Sequence, residues 1–549
     1  MLPQVPPEIQ ALLDAGVSVV AGEIEGRWEG MLRDALANRL QPLYNFLLEP
    51  PGLHSAPLPR ISRRYVHRFV SPNFSTLDCG RGCPFNCSFC TVINVQGRAM
   101  RLRDADKLLD AIRANYRRRR ICSYFFTDDN FCRNRHWEAI FDGLIRLRRE
   151  EGIRIGFMVQ VDTQSYKLPN FVAKAKAAGC SQAFIGLESL NPQNLEAAGK
   201  RQNRLEDFRA LFDAYRAAGI NTHAAYIIGF PFDTPSSVQQ DIQRLTEDLS
   251  PEQASFFMLT PLPGSQDHLA LVQRGIELDS DLNRFDSFHA TTRHPGMSRE
   301  EWTQAYEDAW RVFYSPDNMK RILCRARPEN YWAAFANFVW YKNSIEVEGG
   351  HPMVHGFVRL KGRHSRRTGW SVEPPWQYVK RRAGDLWRYV RLWPRLALEM
   401  EDVWLQTRSR SLWEQRVIEE LRRVPSSVRG WRRMRVSDLQ HAYRRAASAL
   451  HRALPHTRPL ATPMAIPPGV LLWFKQWNPC SHSLTWTRRS LQQFWRRSAV
   501  QMKRGKVHHL DISGLVFNGI QELSLFLVFA SLFFSRLLIR LFARSVAQG

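Results

Sequence analysis

Between residues 73 and 260 the sequence predicts an α/β fold, a partial (β/α)6 TIM-like barrel, on two observations. Strand-like and helix-like stretches alternate six times, and glycines punctuate the helix ends. Repeats of that kind call for parallel strands joined by right-handed crossovers. Six units make a partial barrel rather than the eight of a complete one, with chemistry at the C-terminal ends of the strands.

Taken in order, the expected strands are Asn73–Leu77, Ser123–Thr127, Ile155–Val161, Gln182–Leu187, His223–Gly229 and Ser255–Leu259. Each is a short run rich in β-branched and aromatic residues. Helical patterns lie between them at His136–Arg149, Asn170–Ala178, Glu206–Ala218 and Ser237–Leu249, and Gly179 and Gly219 follow two of these as stop signals. Ahead of the barrel, Val17-Ser18-Val19-Val20 reads as a buried strand, followed by Gly22-Glu23-Ile24-Glu25 and a helix through Leu40; residues 49–60 are a proline-rich linker. Behind the barrel the alternation stops at about residue 265 and helical segments rich in Trp and Arg take over.

The chain has 549 residues, too many for one compact core, so two or three domains are expected. Net charge is +25, and residues 351–549 carry +24 of it, with 35 Lys and Arg against 11 Asp and Glu. The front is therefore close to neutral, and the rear calls for an anionic partner. No basic region followed by an apolar run opens the chain, so no secretory signal is expected. Four of the nine cysteines fall between Cys79 and Cys90, a cluster that suggests metal ligation in a reducing cytosol rather than disulfides.

The segment Cys79-Gly-Arg-Gly-Cys83-Pro-Phe-Asn-Cys87-Ser-Phe-Cys90 carries the strongest chemical signal. A [4Fe–4S] cube is normally held by four thiolates. Cys83, Cys87 and Cys90 on one short loop supply three and leave one iron open to a small chelating ligand. Structural zinc is the alternative, but zinc favours two separated ligand pairs and a closed tetrahedron, and no second pair follows. Cys79 reads as a small buried residue at a strand end.

The triplet resembles the radical S-adenosylmethionine (radical SAM) superfamily, and the likeness runs over about residues 60–320. It is most similar to the subgroup with a cobalamin-binding domain ahead of the barrel. The residues that carry it are Arg81–Cys90, Phe126-Thr127-Asp128-Asp129-Asn130-Phe131, Ile185-Gly186-Leu187-Glu188-Ser189-Leu190, Lys200-Arg201-Gln202-Asn203, Tyr226-Ile227-Ile228-Gly229-Phe230-Pro231 and Leu259–Gly264.

The resemblance implies a [4Fe–4S] cluster on Cys83, Cys87 and Cys90. It also implies S-adenosylmethionine chelated to the open iron and cleaved to a 5′-deoxyadenosyl radical. It places Phe89 beside the adenine, and Asp128, Asp129 and Asn130 towards the methionine ammonium. Gly186 and Glu188 fall at the ribose or ammonium, and Gly229 where a ligand comes close or a turn is tight. Gln160 and His223 are expected to face the barrel interior. No residue is assigned as acid or base. The partners implied are a small-molecule substrate and an external electron donor such as flavodoxin or ferredoxin.

The resemblance leaves cobalamin open. Only the closing unit of that domain is visible, and no Asp-x-His-x-x-Gly precedes the barrel. The expected division is 1–60, a remnant of the cobalamin-binding-like domain plus linker; 61–320, the radical SAM barrel; 321–510, an Arg- and Trp-rich helical region; and 511–549, a hydrophobic helix. Eleven Trp among the arginines of the rear, with the apolar run Leu523–Ser535, suit the interface of an anionic membrane. A cytoplasmic enzyme peripheral to the inner face of a membrane, acting on a lipid-like substrate, is the expectation. An RNA-modifying enzyme and an electron carrier that never cleaves S-adenosylmethionine are the competing ones.

Overall fold

The computed structural model describes residues 7–59, 61, 73–356, 363 and 371–407. It divides into two compact units, residues 1–318 and 319–549. The expectations for Leu523–Ser535, for the 511–549 helix and for the tryptophans from Trp413 onward lie outside the described residues.

The first unit opens with α1 (Pro7–Asp14), β1 (Val19–Ala21), α2 (Trp28–Leu36) and β2 (Leu43–Asn45), with β1 and β2 paired in parallel. The strand expected at Val17–Val20 forms but is not buried: Val17 is 45% and Val20 37% exposed. Two short strands and two short helices offer too little surface to cover both faces of a ribbon.

The barrel follows as β3 (Phe74–Leu77), a two-strand ribbon of β4 (Gly80–Arg81) and β5 (Arg101–Leu102), α3 (Ala105–Arg119), β6 (Ser123–Phe126), α4 (Trp137–Glu150) and β7 (Gly156–Val161). It continues through α5 (Phe171–Ala178), β8 (Cys180–Glu188), α6 (Leu205–Ala218), β9 (Asn221–Ile228), α7 (Pro235–Arg244), β10 (Gln253–Met258) and α8 (Arg299–Phe313). Six strands make one sheet in chain order, β3-β6-β7-β8-β9-β10, and every neighbouring pair is parallel. This is the partial (β/α)6 arrangement expected, with strand ends shifted by one or two residues.

Local chemistry explains the element ends. Gly179 and Gly219 close α5 and α6 in the left-handed conformation. The Asp104 side chain accepts from the Asp106 and Lys107 amides at the start of α3, and Thr234 with Ser237 forms a capping box on α7. Strand period then sorts side chains. On β7, Phe157, Val159 and Val161 are buried against the helices, while Met158 and Gln160 on the other face are half-buried. Phe126 stacks on Phe157 with ring centroids 4.6 Å apart, and Phe131 and Phe141 close over them. Burying one such ring contributes about 1.5–3 kcal/mol.

In the second unit, α9 (Tyr331–Lys342) runs on through a wider turn at Asn343–Val347, and α10 (Pro375–Thr407) packs against that turn. The buried Lys342 ammonium pairs with Glu399 at 2.8 Å and with Glu346. Asn343 accepts from the Trp393 indole at 2.8 Å. Among the described residues no helix is long and apolar enough to cross a membrane.

Candidate metal centre

The three cysteines lie on the loop that the β4–β5 ribbon closes, just past the end of β3. The loop is pinned along its length. The Gly82 amide donates to Gln96 Oε1 at 3.1 Å, the Cys83 amide to the Gly97 carbonyl at 3.2 Å and the Ser88 amide to the Ala198 carbonyl at 3.0 Å. Gly82 sits at φ +98°, where a Cβ would stand 2.6 Å from the Ala99 carbonyl oxygen. No larger residue fits that turn.

Cys83 and Cys90 are partly exposed and Cys87 is 8% exposed. Burial pushes all three thiols up, Cys90 to about 11. They are protonated at neutral pH until a metal displaces the proton. Among the described residues no three Cys, His, Asp or Glu side chains converge closely enough for a single metal ion. A cube of irons does not require that, since each thiolate meets a different iron. Cys79 is fully buried, and burial raises its thiol furthest from reactivity. This is the small buried residue expected.

The carboxylates at the end of β6 divide their work. Asp128, fully buried, accepts from the Cys79 amide at 2.6 Å and from Asn134 Nδ2 at 3.1 Å, so its carboxylate anchors the entry to the cysteine loop. Burial pushes it up to about 7. Asn130 Nδ2 donates to Asp162 Oδ2 at 2.9 Å and its side-chain Oδ1 accepts from the Asp162 amide at 3.2 Å, tying the end of β6 to that of β7. Asp129 is half-buried and lies close enough to Cys83 and Cys90 to raise both thiols. Burial brings its carboxyl to about 6. Of the three, Asp129 is the one set towards the thiols.

At the end of β8 the register with β9 slips between Gly186 and Glu188, and Glu188 takes φ +69°. A bulge of this kind re-aims the side chain after it. Asn203 fixes the bulge by donating to the Gly186 carbonyl at 2.9 Å and the Leu187 carbonyl at 2.8 Å. Glu188 then pairs with Lys200, both buried. A Cβ on Gly186 would stand 2.6 Å from Glu188 Oε1 and 3.1 Å from Lys200 Nζ, so any side chain there would shift the pair. The Lys200 ammonium also lies 5.7 Å from the centre of the Phe89 ring. Burial acts to lower it, and Glu188 with Cys87 and Cys90 raises it past its ordinary value, so it stays charged beside the thiols. Gln202 Nε2 approaches Cys87 Sγ at 4.0 Å.

Phe89 packs edge-on against Phe230, centroids 5.8 Å apart. Gly229 has φ +108°, and a Cβ there would fall 2.2 Å from the Trp302 ring. Its bareness makes room for that indole, whose Nε1 donates to the Ile228 carbonyl at 2.9 Å. That indole fills the space a side chain at Gly229 would need. Gln160 Nε2 donates to the Asp128 carbonyl at 3.1 Å, and His223 lies between Gln182 and Ser255 on the barrel's inner face. Lys200, Gln202 and Asn203 belong to a motif quoted for resemblance, yet none was assigned a role at the site. Their residue types alone carried no sign of the strand end they meet.

The fold is an α/β barrel with three free thiols on one loop at its rim. Residues 77–245 match the family model of the radical SAM superfamily. The chain is 27% identical over 327 residues to the bacteriochlorophyllide d C-12(1)-methyltransferase of Chlorobaculum tepidum, covering 59% of this chain and 69% of that one. It is also 27% identical over 341 residues to the same organism's bacteriochlorophyllide d C-8(2)-methyltransferase, covering 58% and 74%. The solved radical SAM methyltransferase TsrM from Kitasatospora setae, with cobalamin and a [4Fe–4S] cluster bound, superposes at a TM-score of 0.37 and 18% identity. That match covers 43% of this chain and 47% of that structure, less than half its length.

Radical SAM domains work with a [4Fe–4S] cluster and S-adenosylmethionine. The donor set fits both: three thiols on one glycine-shaped loop, and a buried Lys200–Glu188 pair beside them over the bare face of Gly186.

Proposed function

We propose that the chain transfers a methyl group to a carbon of an apolar small molecule, using S-adenosylmethionine at the rim of the barrel. The observation that carries the reading is the juxtaposition of the cysteine loop with the Lys200–Glu188 pair and Asp129. Two relatives named as methyltransferases support the reaction type. The cluster, when bound, would supply the electron that breaks the 5′ carbon–sulfur bond of one S-adenosylmethionine, and a second S-adenosylmethionine would give up the methyl group and leave as S-adenosylhomocysteine.

The side chains then have defined tasks. Cys83, Cys87 and Cys90 hold three corners of the cube. The Lys200 ammonium attracts the amino acid carboxylate of S-adenosylmethionine, and Asp129, ionised above pH 6, attracts its ammonium. Phe89, braced by Phe230, flanks the adenine, and Glu188 stands at the ribose or ammonium side. Asp128 and Asn130 support the site through their side-chain hydrogen bonds, and Gly186 by its missing side chain. The basic, tryptophan-rich rear supports placement at an anionic membrane surface on the cytoplasmic side, and an external flavodoxin- or ferredoxin-type donor would reduce the cluster.

The test is anaerobic reconstitution with iron and sulfide, then dithionite and S-adenosylmethionine, with products separated by mass. Formation of 5′-deoxyadenosine or S-adenosylhomocysteine that depends on Cys87 is expected. Protein that carries iron yet leaves S-adenosylmethionine intact would sink the reading in favour of an electron carrier.

A further inference from the structure

The β4–β5 ribbon that closes the cysteine loop has an electrostatic problem. Its cross-strand pairs are Gly80 with Leu102 and Arg81 with Arg101. Like charges directly opposite each other on antiparallel strands repel. Here the repulsion would open the loop that carries Cys83, Cys87 and Cys90, because Arg81 stands two residues before the first of them.

The counter-charge comes from the N-terminal segment. Glu23 Oε2 accepts from Arg81 Nη1 at 2.5 Å and from Arg101 Nη1 at 3.0 Å, and Glu23 Oε1 pairs with Arg101 Nη2. One carboxylate thus lies between both arginines. Glu25 takes Arg81 Nη2 at 2.7 Å, and Asp78 takes Arg81 Nε at 3.0 Å. Arg101 Nη1 also reaches the Pro51 carbonyl at 2.8 Å and Nη2 the Gln96 carbonyl at 3.0 Å, while its buried Nε has no partner among the described residues. Arg103, 3% exposed, joins Asp78 at 2.9 Å and the Ala56 carbonyl at 3.2 Å. Glu23 and Arg101 keep only a tenth of their side-chain surface in contact with water, so solvent does little to screen the charges. Burial acts to raise the Glu23 carboxyl, and the guanidinium bonds more than reverse this, leaving it lowered and ionised.

We propose that Glu23, assisted by Glu25, is a positioning residue for the metal centre: it neutralises the Arg81–Arg101 pair and so clamps the cysteine loop shut. The N-terminal segment is then part of the centre's support, although it contributes no ligand. Arg81 and Arg101 transmit the effect, since their ribbon fixes both ends of the loop. The inference rests on the cysteine triplet holding the cluster.

The test compares reconstituted wild type with E23Q, and with E29Q as a control for an exposed glutamate on the same segment. Three quantities are read: iron and sulfide per chain, the midpoint potential of the cluster followed by electron paramagnetic resonance, and the rate at which a chelator bleaches the iron–sulfide absorbance. E23Q is expected to bleach roughly tenfold faster, with a shifted potential, because removing one partner of a buried ion pair leaves the others uncompensated. E29Q is expected to match the wild type, and apo E23Q to melt at a lower temperature but in one cooperative transition above the assay temperature, so that bleaching is read on folded protein. If E23Q misfolds, E25Q, which loses a single contact, is read in the same way. An E23Q cluster as durable as the wild type's, at the same potential, overturns the clamp alone. A wild type that takes up no iron overturns the assignment of the cysteines as well.

Discussion

The barrel and the N-terminal segment are built from the same elements and held by different forces. In the barrel, strands β6 to β8 bury every second side chain beneath helices, and rings such as Phe126, Phe141 and Phe157 are inaccessible to water. In the segment, Val17 ahead of β1 and Val20 within it are exposed, and Leu36 at the end of α2 is 88% exposed. What attaches the segment to the cysteine loop is charge, through Glu23, Glu25, Arg81 and Arg101. Apolar packing sets the stability of the unit, while directional polar contacts set the geometry of the metal loop. Substitutions in the two regions are therefore expected to fail in different ways.

The largest effect is expected at the loop itself. Cys87→Ala removes one of three ligands, so iron retained after reconstitution and desalting is expected to fall to background with the melting curve of the apo protein unchanged. A cluster that survives in this variant would break the assignment. Next comes the barrel core. Phe126→Ala is expected to cost about 3–5 kcal/mol in a denaturant titration, the range for emptying a buried aromatic site. A cost below about 1 kcal/mol would show that the sheet is not held by these rings.

The third effect is a pH dependence. Burial raises the Asp129 carboxyl to about 6, so it is ionised above that pH and neutral below it. If it meets the ammonium of S-adenosylmethionine, affinity is flat above pH 6 and falls by up to about tenfold per unit below it. Asp129→Asn should flatten that slope, which equilibrium binding by reconstituted protein can measure. The sign is opposite for folding. A carboxyl raised in the folded state costs stability when ionised, and that cost fades as the pH falls from 6 towards the unfolded value of 3.8. The smallest effect belongs to the exposed segment: Leu36→Ser is expected to change stability by no more than about 0.5 kcal/mol. A larger loss would show that this apolar surface is covered in solution.

The barrel was readable from the sequence because its signals are local. Gly179 and Gly219 mark helix ends through their own backbone preference, and the alternation Phe157, Val159, Val161 needs no knowledge of distant residues. The cysteine triplet was readable for the same reason. The contacts that shape the site were not. Glu23 meets Arg81 58 residues on, and Asp128 meets the Cys79 amide 49 residues back. Asp128 and Asp129 are adjacent and chemically identical, yet one carboxylate braces a loop and the other is set towards the thiols. The turn that follows β6 makes that difference, since both residues lie past the strand's last residue, Phe126. Val17–Val20 was misjudged as buried because an apolar run reports preference for cover, and the cover must come from elsewhere in the fold.

One feature of the sheet bears on how the protein is made. Because spatial order equals chain order, each new strand can add to an edge that already exists, as it leaves the ribosome. The cysteines are synthesised after the first strand, whereas Lys200 and Gln202 arrive only after β8. During that interval the thiols lack the cation and the amide that later stand beside them. Iron delivered early would meet a half-built cradle, so productive loading is expected to follow completion of the chain, which pulse-labelled iron incorporation during translation in vitro can time.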